Sequence, residues 1–198
     1  MILPGTPAQL INGLIAPADA EWPALAQREC DRWRAAALPG LLRIHHIGST
    51  AVKSMPAKPV LDLLPEFGSL DALDAARAQI EGLGYQWMGE YGLPGRRYCR
   101  LDDPKTGNRT VQAHAYVQGS PEITRHLAFR DALRANASLR AAYAAVKGKC
   151  AALHPGDARG YGKCKSDWIQ KVEARALAAA SASGPIAPPI APVEEPPS

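Results

Sequence analysis

Apolar residues recur at three- and four-residue steps between Asp19 and Leu38 (Trp22, Leu25, Ala26, Cys30, Trp33 and Ala37). This spacing predicts an amphipathic helix with Asp19 as its cap and Pro39-Gly40 as its stop. Residues 42–47 alternate loosely and read as a strand running into Gly48, and residues 49–59 form a loop of small residues and prolines. Residues 60–64 are a short apolar strand with Asp62 at its centre, and Pro65 argues against an unbroken continuation. Residues 70–83 are again amphipathic, closed by Gly84. Strands are expected at 85–88 and 96–101, on either side of a glycine-rich turn at 89–95. The turn chemistry of residues 102–108 pairs the second of them with a strand at 110–117. Ser120-Pro121-Glu122 then caps a helix and supplies proline at its first position, opening two or three helices over about 121–135, 138–153 and 163–180. These elements predict an α/β (α+β) fold, a mixed sheet with flanking helices and a helical C-terminal layer.

The chain has 198 residues and 46% hydrophobic content, which suits one domain with a buried core. The expected organisation is an N-terminal extension over 1–16, a domain over 17–180, and a disordered Pro/Ala-rich tail over 181–198 whose composition gives it little to bury. The net charge of +4 is modest and its basic residues are scattered, which disfavours nucleic acid and leaves an anionic small molecule as the expected partner. No run approaches the ~18 apolar residues of a membrane helix. The four cysteines form no C-x-x-C pair and read as reduced thiols, so a cytoplasmic location is expected.

A strand ending in Gly48-Ser49 lets backbone amides approach a phosphate closely, and a carboxylate on the next strand, Asp62, could hold a divalent metal, Mg2+ first, against it. The competing reading is a tight turn beside a strand-end acid facing solvent. By itself the pattern leaves both open.

A longer set of motifs resembles the GrpB family: Trp22-Pro23-Ala24-Leu25, His46-Ile47-Gly48-Ser49-Thr50-Ala51-Val52 and Ala57-Lys58-Pro59-Val60-Leu61-Asp62. The likeness continues through Gly89-Glu90-Tyr91-Gly92-Leu93-Pro94-Gly95-Arg96-Arg97-Tyr98, His114 and Arg125-His126-Leu127-Ala128-Phe129-Arg130-Asp131-Ala132-Leu133. It ends near Tyr161 to Ile169, with Lys165, and covers roughly residues 17–177. The resemblance implies a nucleotidyltransferase-like fold, a domain found elsewhere fused to dephospho-CoA kinase, and little about the reaction. The wider superfamily places two acids as Asp-x-Asp after its Gly-Ser turn. Here Asp62 stands at the first position and Leu64 at the second. Gln112-Ala113-His114 replaces the family's His-x-His, and Val52-Lys53-Ser54-Met55 replaces Val-Pro-Gly-Leu.

The resulting expectation is metal-assisted group transfer on a nucleotide or another anionic small molecule. Gly48, Ser49 and Thr50 would orient phosphates, with Arg130 and Lys165 as further phosphate ligands. Asp62, with Glu90, would hold the metal, Lys58 and Arg97 would offset developing charge, and His114 would act as base or ligand. Each assignment has a structural alternative: an ion pair of Lys58 with Asp62, a salt bridge of Glu90 with Arg97, a packed His114, and helix ties at Arg130 and Lys165. Glu66 reads as a solvated strand-end acid. Two further functions stay open: a ligand-binding module without catalysis, and a biosynthetic enzyme that cyclises or condenses an amino-acid-like substrate without nucleotides.

Overall fold

The computed structural model describes residues 14–182. Most of the expected tail and the first thirteen residues of the expected extension therefore lie outside the described residues. Five strands, β1 (Leu41–Ile47), β2 (Leu61–Phe67), β3 (Gln86–Trp87), β4 (Arg97–Asp102) and β5 (Arg109–Val117), form one mixed sheet in the order β1-β2-β5-β4-β3. Only the central pair, β2 with β5, is parallel. Helices α1 (Trp22–Ala35), α2 (Leu70–Ala75) and α3 (Arg77–Gly82) accompany the strands. Helices α4 (Pro121–Ala135), α5 (Ala137–Leu153), α6 (Ala158–Cys164) and α7 (Ser166–Ala182) follow them.

Strand alternation divides the sheet into two environments. Ile44, Leu61, Leu63, Phe67, Cys99, Val111, Ala113 and Ala115 pack with Trp22, Trp33, Leu73 and Ile80 of α1 to α3 as the main core. On the other face Ile47, Leu64 and Tyr116 pack against Ile123 of α4. Asp62, Gln112 and His114 share that second face, since Asp62 pairs with Gln112 in the β2–β5 register and His114 lies two residues on. The C-terminal helices thus face the polar residues at the sheet centre.

Several local expectations need correction. Pro65 does not end β2: it pairs with Ile44, while the β2–β5 ladder joins Leu61–Leu63 and then Glu66 and Phe67 on either side of it. Glu66 is consequently buried, with His45 at 3.8 Å, and is not a solvated acid. It stands four residues from Asp62, about 13 Å along a strand, beyond sharing a ligand. Asp19 accepts from the Glu21 amide at 2.8 Å, two residues before the helix cap position at Glu21 itself. Leu14 and Ile15 are buried against Cys150 and Tyr161, and Ala16 bridges Ala57, so the folded unit reaches back past the expected boundary at residue 17. Cys150 and Cys164 form a disulfide (Cα–Cα 5.8 Å), which overturns the expectation of four reduced thiols. The turn from α5 into α6 brings together two cysteines whose sequence spacing carries no motif. Cys30 and Cys99 are free and buried. No helix among the described residues is long and apolar enough to cross a membrane.

Candidate functional site

Gly48 ends β1 with φ +70°, a conformation that favours glycine, and leads into a 3-10 turn at Ser49–Ala51. A Cβ at Gly48 would lie 2.2 Å from Asp62 Oδ2, so the turn and the carboxylate are packed against each other without room for a side chain. The turn is held from several directions. His46 Nε2 and Thr50 Oγ1 are 2.8 Å apart, Arg130 donates to the His46 carbonyl at 3.1 Å, and Arg134 donates to the Ala51 carbonyl at 2.9 Å. The Ser49 hydroxyl hydrogen-bonds the Tyr143 phenol, whose ring stacks on Trp168 at 4.8 Å.

Two chains of hydrogen-bonding groups converge on Asp62 Oδ1. Arg109 donates to the Tyr98 hydroxyl (3.0 Å), Tyr98 donates to Gln112 Oε1 (3.0 Å), and Gln112 Nε2 donates to Asp62 Oδ1. In the second, Arg96 Nη1 lies 3.4 Å from His114 Nδ1, and His114 Nε2 lies 3.7 Å from Asp62 Oδ1. A guanidinium only donates, so Nδ1 is the acceptor and Nε2 carries the proton facing Asp62. In this arrangement His114 faces Asp62 as a donor, whereas the sequence reading has it as base or ligand. Burial raises the pKa of Asp62, but the His114 interaction and the Gln112 amide outweigh it and hold the carboxyl below its usual range.

Three lysines lie within electrostatic reach of this carboxylate. Lys58 and Lys165 both lie over the Tyr161 ring, at 5.3 and 5.5 Å from its centroid. Burial lowers both lysines, with the Asp62 charge acting in the opposite direction. Lys147 of α5 is only 2% exposed, donates to the Pro56 carbonyl and lies over the Tyr143 ring. Burial, reinforced by Lys165 and opposed by Asp62, lowers its pKa to about 7. Lys147 was missed in the sequence, although Tyr143, Lys147 and Cys150 occupy one helical stripe. A lysine on an otherwise buried stripe is the signal that could have found it.

The predicted site residues divide accordingly. Asp62, Gly48, Ser49, Lys58, His114 and Lys165 come together. Thr50 is buried and engaged with His46. Arg130 ties α4 to β1 and pairs with Asp131, so its phosphate-binding assignment fails on geometry. Arg97 is also misassigned: it makes a bidentate contact with Asp74 of α2, on the other face of the sheet, at 2.5 and 2.7 Å. Its neighbour Arg96, one position earlier and therefore of Tyr98's parity, is the arginine on the site face. Glu90 accepts from the Gly95 amide (2.7 Å) and lies 3.7 Å from Arg97, so its carboxylate is engaged in closing the glycine-rich turn. The expected Asp62–Glu90 metal pair is therefore not assembled. The donors at Asp62 do not fit a divalent metal: one carboxylate, an amide N–H and an imidazole N–H on the same oxygen, and lysines around them.

The GrpB family model, described as GrpB protein, matches residues 14–175. The chain belongs to the GrpB family. Among its GrpB-related proteins, the UPF0157 protein YqkA of Bacillus subtilis is 40% identical over 157 residues, covering 79% of this chain and 45% of that one. A dephospho-CoA kinase of Mycolicibacterium paratuberculosis is 31% identical over 192 residues, covering 86% of this chain and 47% of the kinase. The chain thus spans about half the length of each of these two. The crystal structure of the conserved protein GrpB from Enterococcus faecalis superimposes with a TM-score of 0.78 at 33% identity, over 85% of this chain and 99% of that one. The mixed sheet and its helical layers are therefore a GrpB fold, with the Gly48 turn and Asp62 inside the matched region.

Proposed function

We propose that this GrpB-family protein is a group-transfer enzyme acting on an anionic small molecule, a nucleotide or another phosphorylated or carboxylated compound, at the Asp62 site. The observation that carries this reading is the Gly48-Ser49 turn packed directly on one ionised carboxylate, Asp62, with Lys58, Lys147 and Lys165 each within its electrostatic reach. The lysines supply positive charge for the substrate's anionic group in a partly desolvated setting, where it counts for more than in water. Asp62 Oδ2, the oxygen opposite the Gln112 and His114 contacts, is the acceptor for a hydrogen on the attacking hydroxyl or amine. As the new bond forms to the transferred group, the bond to the leaving oxygen breaks and its charge falls to the lysines. Burial holds Lys147 near neutrality, so it can exchange a proton at physiological pH.

A second reading, a ligand-binding module without turnover, is favoured by Leu64 at the second-acid position, fully buried with Ile47 and Tyr116. The two readings separate in a turnover screen followed by 31P NMR with nucleoside triphosphates and phosphorylated small molecules. Group transfer predicts product, and a loss on the order of 100-fold or more in Asp62→Asn, with the variant still folded. Tight binding with no product for any substrate, in wild type and variant alike, selects the binding module.

A further inference from the structure

The family resemblance brings a divalent metal with it, and the residues around Asp62 are arranged against one. We propose that lysine ammonium groups take the metal's place, Lys58 and Lys165 holding the substrate's anionic group with no divalent ion bound at Asp62. The inference rests on the anion-binding reading above and deepens it.

Three observations carry it. First, Asp62 Oδ1 already faces the N–H groups of Gln112 and His114. The direction of the Gln112 amide is set by the Arg109–Tyr98 chain, and turning it over would press Oε1 against the carboxylate. A cation approaching Oδ1 would meet two donors. Second, the described residues gather no group of three metal-ligating side chains: Leu64 fills the second-acid position in an apolar cluster, Glu66 sits by His45, Glu90 closes its own turn on Gly95 and Arg97, and Glu122 and Glu173 pair with Arg125. Third, Lys58 and Lys165 lie over the same tyrosine ring, at 5.3 and 5.5 Å from its centroid, so one side chain positions both ammonium groups. Lys165 is lowered chiefly by burial and further by Lys58, and an anion bound beside them favours the charged form. A divalent cation in the same place would disfavour it. The substrate class this seat fits is a phosphate, diphosphate or dicarboxylate, a compact group carrying two or more negative charges.

Two measurements on the full-length protein test the proposal. Electron paramagnetic resonance of free Mn2+ reports metal binding alone, and calorimetric titration of inorganic pyrophosphate in EDTA reports the anion seat. The expected results are Mn2+ that stays free in the presence of protein, pyrophosphate that binds in EDTA, and binding weakened roughly tenfold in Lys58→Met and in Lys165→Met, the scale of one charged hydrogen bond. Mn2+ bound by the wild type and released in Asp62→Asn would overturn it. So would pyrophosphate that binds only when Mn2+ is added, a result that leaves the anion-site reading standing. Pyrophosphate that binds in neither buffer removes the anion-site reading and this proposal together.

Discussion

A methyl group on Gly48 would lie 2.2 Å from an Asp62 carboxylate oxygen, well inside van der Waals contact, on a backbone held at φ +70°. Gly48→Ala should therefore both strain the turn and displace Asp62. The expected cost is about 1–3 kcal/mol in a urea melt, with pyrophosphate binding lost in the fraction that folds. Wild-type binding in that variant would separate the turn from the site. A second residue-scale prediction concerns acid. Burial lowers His126 to about 3, aided by Arg125, whose guanidinium lies 3.1 Å from its Nε2. Burial likewise lowers His46 to about 4. These groups take up protons on unfolding between about pH 6.5 and 4, so the unfolded chain binds more protons there and stability falls as pH drops. The melting temperature should decline across this window, and His126→Gln should flatten part of the decline. A slope unchanged in that variant would contradict the assignment. At this scale the sequence made Asp62 and Gly48 legible, because an acid inside an apolar run and a glycine at a strand end are local signals. It misplaced Arg97 because which of two adjacent arginines faces the site depends on strand parity, and parity depends on register.

Most elements were legible to within a few residues: α4 falls on the expected 121–135, capped by Ser120, and the β4–β5 hairpin follows its turn chemistry. The failures have tertiary causes. Proline is tolerated inside β2 because the pairing with β5 is interrupted there, and an extra short helix, α6, precedes the expected last helix, which begins as α7 at Ser166 after Lys165 caps α6. The disulfide ties α6 to α5, and α6 carries Tyr161, the ring beneath Lys58 and Lys165, with Lys165 directly after Cys164. Closing a loop of this size contributes about 3 kcal/mol in the chain-entropy account. The Cys150→Ser, Cys164→Ser double variant should lose stability on that scale, and α6 amides should exchange faster with solvent. Equal exchange in the two proteins would mean that Asp157 capping and the packing of Tyr161 hold α6 without the bond.

On the scale of the whole molecule, the sheet separates two tasks. One face buries the main apolar core under α1 to α3, and the other presents Asp62, Gln112 and His114 to helices that bring in lysines. The fold class was readable from the alternation of patterns along the chain. Of the lysines near Asp62, Lys58 and Lys165 are expected from the family resemblance and Lys147 is not, because it comes from α5 and only the packed structure brings it to the loop and the α6–α7 junction that carry the other two. The central claim is that these lysines form the seat of the substrate's anion. A crystal structure of the protein soaked with pyrophosphate tests it most directly. The account predicts anion density between the ammonium groups of Lys58 and Lys165, beside Tyr161 and within reach of the Gly48-Ser49 turn. Density at Arg97 and the glycine-rich turn, with the lysine pair empty, would contradict it.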